Sequence, residues 1–556
     1  MATRHGPRAR FAAGVALVAL WLALGLAACT VPGTLQPDAT APPAATATAP
    51  PSPVAAVATS KTALGAGTAP LVTNTPPLPT VAVTATPTPT AAPTATPVAS
   101  PTAATPARGT PGAAASPTRG PFTATPDQPC REVDFDVDKQ PLPEQPASVD
   151  TVGQAYHCFL LHYVDHKTMD NRVLLNGAWT YLAQAGQGLF TAQDTAPLAL
   201  TGDDEQDWRV FAQRYTALQQ KYRRIDPSLL AHVTIDGLAR SLDDNHVAYL
   251  EPPQWQTAFA EETGQDILIG PGFTIALDDQ SGQFYLYDVY PNSPASAAGL
   301  KPGDIVVQVG GQPASRNSGN QDFYNLLTGP VGTTATMQVK RPATGATLNV
   351  SVSVAQVKAP LIESRVLPGQ IGYIKLRNFS NNAGEEFDKA LTALQQQGIK
   401  ALIFDVRQNP GGSVDALTHI VSHFTHQDPL AISIDDTGKR DPQKFDDKVP
   451  LLKLPWVVLA DSGSASSSDI TAAVAKDRGG YLIGVKTAGA LGAAEFYALE
   501  DGSALEITVA RVLGPDGEEI NHVGVPPNEV VTLLPIDLSA GNDPQLQRAV
   551  AYLTAR

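Results

Sequence analysis

The chain has 556 residues, a net charge of −15 and an apolar fraction of 43%. This length predicts two or three domains with substantial cores, and the negative charge argues against nucleic-acid binding. No dinucleotide-binding or phosphate-loop pattern occurs in the sequence, and we predict no cofactor.

Residues 1–28 have the pattern of an export signal. Three arginines precede an apolar run that ends in LAAC at residues 26–29, which resembles a bacterial lipobox. This pattern predicts cleavage before Cys29, lipidation of Cys29 and anchoring to the outer face of the membrane. An uncleaved membrane anchor is the alternative, and both arrangements place the rest of the chain in the cell envelope.

Residues 29–128 are rich in proline, alanine and threonine. Such a composition buries too little apolar surface to fold, and Pro-rich segments are extended. We therefore predict a disordered stalk, with a recognition or glycosylated tract as the alternative. Beyond it stand Cys130 and Cys158, which export allows to form a disulfide; two buried thiols remain the alternative.

Residues 129–263 show mainly helical periodicity and are predicted to form a helical N-terminal domain. Apolar residues recur on one face at 152–163, 170–185 and 208–222. The segment ends in SLDDNHVAYL at residues 241–250.

Residues 264–357 alternate short strands with turns and are predicted to form a β-rich domain. GPGF at 270–273 resembles the carboxylate-binding loop of a PDZ domain, and SPASAAGLKPGDIVVQVGGQP at 293–313 is PDZ-like. This resemblance implies that Gly270, Gly272 and Phe273 bind a peptide C-terminus and that Asp322–Leu327 is the groove helix. Such a domain adds a peptide to its sheet as an extra strand; a role as a lid or spacer is the alternative.

Residues 358–556 alternate strands and helices, which predicts a layered α/β domain. One unit reads as a strand at 456–460, a small-residue turn and a helix. A serine at a helix N-terminus lies beside unpaired N–H groups that favour developing negative charge. A second strand, 401–406, ends in Asn-Pro-Gly-Gly, whose glycines allow close backbone approach.

Four motifs in this region resemble the carboxyl-terminal processing (tail-specific) serine protease family. They are DVRQNPGG at 405–412, GSASSSD at 463–469, DGSALEITVARVLGPDG at 501–517 and GVPPNEVV at 524–531. The resemblance covers most of residues 130–535 and implies a multidomain α+β protein. Its parts are a helical N-terminal segment, a PDZ-like β-rich domain and a crotonase-like α/β protease core.

The resemblance also assigns catalytic roles. It places the nucleophile at Ser466 and the oxyanion donors at the backbone N–H groups of Ser467 and of Gly411 or Gly412. Asp477, eleven residues after Ser466 (477 − 466), matches an aspartate common in the family. We expect a structural role for Asp477, with a direct role as the alternative.

The general base is where the sequence departs from the family pattern. In the best-known branch a lysine forms a dyad with the serine, but that position holds Ala490, and Lys486 matches an earlier, non-catalytic lysine. An alanine accepts no proton, and serine is a weak nucleophile without a base. The chain thus resembles a branch that lacks the usual catalytic lysine.

Two replacements for the lysine are open. Other branches use a histidine upstream of the PDZ-like region, and His246 matches it, with Asn245 where the family usually has proline. A histidine pKa of ~6.5 suits a base near neutral pH. The second replacement is Lys486 reaching inward from a shifted loop.

The sequence also leaves undecided which residue would orient the His246 ring. Asn245, Glu519, Asn521 and Asn528 are the candidates for this role.

Two groups of histidines are spaced along predicted helices, at 157, 162 and 166 and at 419, 423 and 426. A metal site would require a further ligand, and no carboxylate or cysteine nearby completes a known spacing. We therefore predict no metal site and interpret these histidines as helix-face or solvated residues.

Two hypotheses of different class follow. The first is a lipid-anchored serine endopeptidase that recognises C-terminal tails of envelope proteins and cleaves through an acyl-enzyme at Ser466. The second is an inactive pseudoprotease that acts as a peptide-binding scaffold. The intact serine and glycine motifs favour the enzyme, and Ala490 favours the scaffold.

Overall fold

The computed structural model describes residues 123–125, 128–135, 137–186, 188–264, 267–278, 281–314, 327 and 331–556. The predicted export signal, Cys29 and nearly all of the predicted stalk lie outside these residues, as does the predicted groove helix before Leu327. No helix within the described ranges has both the length and the apolar character needed to cross a lipid bilayer.

The described residues between 129 and 263 fold mainly into helices. These are Val149–His162 (α1), Asn171–Ala185 (α2), Asp204–Lys221 (α3), Pro227–Arg240 (α4) and Pro252–Glu262 (α5). Side chains of Ser148, Asp170, Asp203 and Asp226 accept hydrogen bonds from the first turns of α1 to α4, which satisfies otherwise unpaired N–H groups. The chain is fixed further by a disulfide between Cys130 and Cys158, so the thiol alternative is excluded in this structure.

This N-terminal segment is not purely helical. Two short strands, Arg131–Glu132 (β1) and Ala248–Leu250 (β2), pair antiparallel with Tyr497–Ala498 and Ala504–Glu506 of the core. Strands of two or three residues carry too little periodicity to be predicted and exist here through pairing with longer neighbours. The second pairing brings His246, two residues before β2, onto the core.

The region predicted to be PDZ-like contains two antiparallel sheets. Its strands are Ile267–Gly270 (β3), Phe273–Asp278 (β4), Gln283–Val289 (β5), Ile305–Val309 (β6), Gln312–Pro313 (β7), Thr334–Arg341 (β8), Ala346–Ser353 (β9) and Ala355–Lys358 (β10), with a helix at Pro294–Ala297 (α6). The sheet order is β4-β5-β6-β8-β9, with β7 on β6, while β3 pairs with β10. Strand β4 therefore forms an edge of this sheet in the described part of the chain.

The C-terminal core, within residues 358–556, combines two sheets with helices, as the α/β prediction requires. Its strands are Ile362–Leu367 (β11), Ile371–Leu376 (β12), Ala401–Asp405 (β13), Ala431–Ile434 (β14), Arg440–Gln443 (β15), Trp456–Ala460 (β16), Leu482–Gly484 (β17), Gly492–Ala498 (β18), Ala504–Leu513 (β19) and Glu529–Val530 (β20). Its helices are Ala383–Gln396 (α7), Val414–Ser422 (α8), Ser467–Asp477 (α9), Pro535–Ser539 (α10) and Pro544–Thr554 (α11). The predicted β-rich domain and the predicted layered α/β domain are therefore both present.

The parallel pairing of β13 with β16 determines where the loops of the candidate site lie. One sheet has the order β11-β12-β13-β16-β17-β20 and is parallel from β12 onward. Because β13 and β16 are parallel neighbours, the loops after Asp405 and Ala460 emerge at the same edge, where ligands bind in such sheets. The second sheet, β1-β18-β19-β14-β15 with β2 on β19, carries His246.

Candidate active site

Ser466 stands at the N-terminus of α9, in a strained conformation. Its φ is +54° and its ψ is −114°, a region that non-glycine residues rarely occupy. The residue is 3% exposed. Backbone strain of this kind costs of order 1–3 kcal/mol and persists only where the surroundings impose it.

The loop after β13 imposes that conformation by direct hydrogen bonds. Ala465 N donates to Asn409 O at 3.1 Å, and Ser467 Oγ donates to Gly412 O at 2.8 Å. A Cβ atom placed on Gly411 would lie 2.7 Å from Ser466 Cβ. The glycine is therefore required for the two loops to approach this closely.

The structure distinguishes between the two glycines as oxyanion donors. Gly411 N donates to Asn409 Oδ1 at 2.8 Å, so this N–H is already engaged. The N–H groups of Gly412 and Ser467 donate no hydrogen bond to any of the described residues. Ser467 and Gly412 are therefore the better pair for a developing oxyanion.

Asp469 ties the serine turn to the segment that follows β17. This fully buried carboxyl accepts from Ser466 N at 2.8 Å, Gly489 N at 3.1 Å and Ala490 N at 3.2 Å, and from the hydroxyl of Thr487. Burial raises its pKa to about 7, against the opposing effect of these donors. Asp469 therefore organises the backbone around Ser466.

The position of the family lysine is closed by small side chains. Ala490 is fully buried and packs against Ala465, with Ala488 at the edge of the contact. The structure does not bring Lys486 to the serine, because its side chain is exposed and passes Gly524. Asp477 is exposed at the far end of α9 from Ser466.

His246 is fully buried, and its hydrogen bonds define its tautomer. Asn245 Nδ2 donates to Asn521 Oδ1 at 3.2 Å, which turns Asn245 Oδ1 toward His246 Nδ1 at 2.9 Å. His246 Nδ1 therefore carries the proton, and Nε2 is left with its lone pair. Nε2 has no hydrogen-bond partner within the described residues.

Burial also lowers the pKa of His246 to about 4, because the charged imidazolium is desolvated. The nearby Asp244 opposes this shift and His522 adds to it. The imidazole is thus neutral near pH 7 and able to accept a proton.

One four-residue segment, Gly489–Gly492, contacts both proposed catalytic residues. Ala490 O accepts from Ser466 N at 2.7 Å. At its other end a Cβ atom on Gly492 would lie 3.3 Å from His246 Cγ. The structure therefore gathers the serine turn and the histidine around the same stretch of backbone.

The four residues considered as partners that orient His246 differ in how closely they are connected to its ring. Asn245 contacts the His246 ring, and Asn521 holds Asn245 while accepting from Leu491 N at 3.1 Å. Glu519 Oε1 accepts from Asn521 N at 3.1 Å and so lies one step further away. Asn528 instead accepts from Leu482 N at 2.8 Å, outside this chain of contacts.

A cleft of about 350 Å³ opens beside these groups, and its lining includes Asp244, Gly492, Thr508, Asn521 and His522. Its lining includes neither Ser466 nor the fully buried His246, so the cleft borders the segment that contacts them without opening onto either side chain.

The PDZ residues predicted to bind a peptide carboxylate lie at the start of the edge strand. Gly272 has φ +86°, and a Cβ atom there would lie 2.2 Å from Ser293 Cβ. Gly270 ends β3, and Phe273 begins β4 with its ring in the PDZ core. This geometry leaves a tight backbone turn beside an open strand edge.

Sequence reasoning assigned no role to Asn409, Asp469 or Thr487, although each holds the serine turn. A buried polar residue in a small-residue loop carries no periodic signal, and its partners come from distant segments. Asn409 and Asp469 do lie within the motifs DVRQNPGG and GSASSSD, and their places beside the glycines and the nucleophile were the visible signs.

The chain is similar to known peptidases and to PDZ domains. Residues 370–531 match peptidase family S41, and residues 285–341 match the PDZ domain family. The chain is 29% identical over 392 residues to a carboxyl-terminal-processing protease of Picosynechococcus, covering 69% of this chain and 90% of that protein.

It is also 27% identical over 338 residues to the carboxy-terminal processing protease CtpB of Bacillus subtilis, covering 60% of this chain and 69% of that protein. Among solved structures, the photosystem II D1 C-terminal processing protease superposes with a TM-score of 0.47 at 24% identity, covering 74% of this chain and 98% of that one.

Proposed function

Because this chain belongs to the carboxyl-terminal processing family of S41 serine-type peptidases, we propose that it is an exported, lipid-anchored endopeptidase acting on envelope proteins. Its PDZ domain captures the C-terminal tail of a substrate, and Ser466 cleaves a peptide bond with His246 as the base. No metal or organic cofactor takes part in this reaction.

The observation that supports His246 as the base is the hydrogen bonding of its two ring nitrogens. Its Nδ1 faces Asn245 Oδ1 at 2.9 Å, and its buried Nε2 has no partner among the described residues. A buried nitrogen lone pair without a partner is costly, and such a group is retained where a reaction uses it.

The proposed mechanism requires one rearrangement, because Ser466 Oγ is not hydrogen-bonded to His246 Nε2 in this structure and has to come within hydrogen-bond distance of it when substrate binds. His246 Nε2 takes the proton of Ser466 Oγ as that oxygen attacks the scissile carbonyl carbon. The oxyanion that forms is met by the N–H groups of Ser467 and Gly412. Collapse breaks the C–N bond, and the imidazolium gives its proton to the leaving amine. Water, deprotonated by His246, then attacks the acyl carbonyl carbon. The imidazolium returns that proton to Ser466 Oγ as the ester C–O bond breaks, which releases the acid and restores the enzyme.

Tail capture is supported by the open edge of the PDZ sheet. Among the described residues strand β4 pairs with β5 alone, so its other edge can accept a peptide as an added strand. The turn at Gly270–Phe273 stands where the peptide carboxylate would end.

Export is supported by the chain's cysteines. The bond between Cys130 and Cys158 belongs in an oxidising compartment, and the remaining cysteine, Cys29, is the predicted lipid attachment site. We propose that the lipid holds the enzyme to the outer face of the membrane.

A second function, an inactive tail-binding scaffold, is favoured by one observation. Ala490 fills the lysine position and is fully buried, so the dyad of the best-known branch cannot form. The PDZ edge would remain able to bind tails.

The test uses the full chain in detergent with two reporters of one sequence, which have a free or an amidated apolar C-terminus. Casein serves as a general substrate. We expect cleavage of casein and of the free-tail reporter, weaker cleavage of the amidated one, and none by Ser466→Ala. Tail binding without any turnover by the wild type would contradict the endopeptidase proposal and leave the scaffold.

A further inference from the structure

A cluster of three ligand-bearing side chains lies on the core away from Ser466. His419 and His423 are four residues apart on α8 and its C-cap, and the side chains of both face Asp388 of α7. We propose that Asp388, His419 and His423 form a binding site for a divalent transition-metal ion of the zinc type.

The geometry suits one shared ion. His423 Nε2 lies 2.6 Å from Asp388 Oδ1, and His419 Nε2 lies 3.0 Å from Asp388 Oδ2. One ligand atom from each of the three residues lies within 4.8 Å of the others. Ligands of a tetrahedral zinc ion at bond lengths near 2.0 Å stand about 3.3 Å apart, so small side-chain rotations open the cluster to an ion.

A second observation fits a metal ligand. His423 Nδ1 lies 3.1 Å from Pro450 O, and a carbonyl oxygen there accepts the Nδ1 proton. An ion that displaces the proton shared between Nε2 and Asp388 would therefore find the Nε2 lone pair already directed into the cluster. Metal-bound histidines almost always donate their other ring N–H to a carbonyl or carboxylate in this way.

Packing holds the histidines in place. The side chain of His423 is 5% exposed, whereas those of His419 and Asp388 are 34% and 44% exposed. A Cβ atom on Gly384 would lie 2.9 Å from His419 Cδ2, so the glycine in the first turn of α7 lets the ring lie against that helix. The cluster thus has a fixed inner ligand and an open outer side through which an ion and a water molecule can enter.

The types of ligand in the cluster determine which metal ions it would prefer. Two imidazoles and one carboxylate favour zinc and its neighbours over calcium or magnesium, which prefer all-oxygen sites. Three protein ligands leave a fourth position to solvent. Occupation ties α7 to α8, whose N-cap Ser413 directly follows Gly412, and so restrains the base of the proposed oxyanion loop.

Among the described residues, His426 and His162 lack a free set of ligands of this kind. His426 Nε2 lies 3.0 Å from Val449 O, and its ring stacks on Phe445. His162 stacks on Tyr497, near cysteines already joined in the disulfide. His426 therefore provides a matched control, because it lies three residues beyond His423 and outside the cluster.

The experiment titrates Zn²⁺ into the chelator-treated full chain by calorimetry. We expect one saturable site in the wild type, at least tenfold weaker binding in Asp388→Asn and in His423→Gln, and unchanged binding in His426→Gln. Absence of saturable binding by the wild type, or equal affinity in the ligand variants and the wild type, would overturn the proposal.

Because His423 is buried, its variant can lose the fold, so a second readout uses Co²⁺ with the wild type and the half-exposed His419→Gln. We expect the ligand-field spectrum of a tetrahedral nitrogen–oxygen site in the wild type and its loss in the variant. The spectrum of hydrated Co²⁺ in the wild type would contradict the site.

Discussion

The backbone N–H of Ser466 donates to the carbonyl oxygen of Ala490 at 2.7 Å. The residue at the family's lysine position is therefore bonded to the proposed nucleophile through its backbone, while its methyl group packs on Ala465. This segment therefore shapes the serine turn through its backbone, and in the proposed mechanism the proton acceptor is His246.

The first prediction concerns how kcat/KM falls at acidic pH. Burial lowers the pKa of His246 to about 4, so the free enzyme keeps its base neutral well below the ordinary value of ~6.5. We expect kcat/KM for the free-tail reporter to stay near its maximum at pH 6 and to fall toward pH 4. Activity regained on return to pH 7 serves as the control for unfolding, and a half-maximum at or above pH 6.5 would contradict this environment.

The second prediction concerns the closed lysine position. Ala490→Lys forces a long cationic side chain into a buried contact with Ala465, so we expect a loss of about 1–3 kcal/mol of unfolding free energy from overpacking alone. We expect no gain in kcat/KM. Urea denaturation measures the first effect, with Ala393→Lys on the exposed face of α7 as the control. A stable variant with tenfold higher activity would show that the lysine dyad fits this site.

The third prediction asks whether Gly411 is needed because its loop lies so close to Ser466, or only because its backbone has a positive φ. A Cβ atom on Gly411 meets Ser466 Cβ at 2.7 Å and Ser467 N at 3.0 Å, and its φ is +106°. Gly411→Ala should displace the oxyanion donors and lower kcat by roughly 10²–10³-fold.

The control for this third prediction is Gly398→Ala, where φ is +73° but no atom lies within 4 Å. It should change kcat little. Equal losses in the two variants would assign the effect to strain rather than to the site.

Some of these features were visible in the sequence and others were not. The strands ending at Asp405 and Ala460 follow from their apolar runs, and the strand–turn–helix around Ser466 follows from the small residues after the second run. The contacts of Asn245 with Asn521, and of Asp388 with His419, join residues far apart in the chain. No local pattern encodes such pairs, because the tertiary fold alone brings them together.

The fourth prediction concerns the buried carboxyl of Glu262. Burial, reinforced by Glu261, raises its pKa to about 8, above an unfolded value near 4.5. Between these values the folded state holds a proton that the unfolded state has lost, so stability falls as pH rises from about 4.5 to about 8, by up to about 1.4 kcal/mol per pH unit.

Glu262→Gln should remove this part of the slope and be more stable than the wild type near pH 8. Urea unfolding between pH 4.5 and pH 8 measures the free energy of unfolding of both proteins, with the exposed Glu385→Gln as the control. Parallel curves for the wild type and Glu262→Gln would show that this carboxyl ionises normally.

The central claim is that His246 activates Ser466. The most direct measurement is the rate at which a fluorophosphonate labels Ser466 in the full chain, followed by mass spectrometry of the modified peptide. We predict that His246→Ala slows labelling by at least 10²-fold, as expected for loss of a general base, while Lys486→Met labels at the wild-type rate. Rapid labelling of His246→Ala together with slow labelling of Lys486→Met would contradict the account and place the base at the lysine.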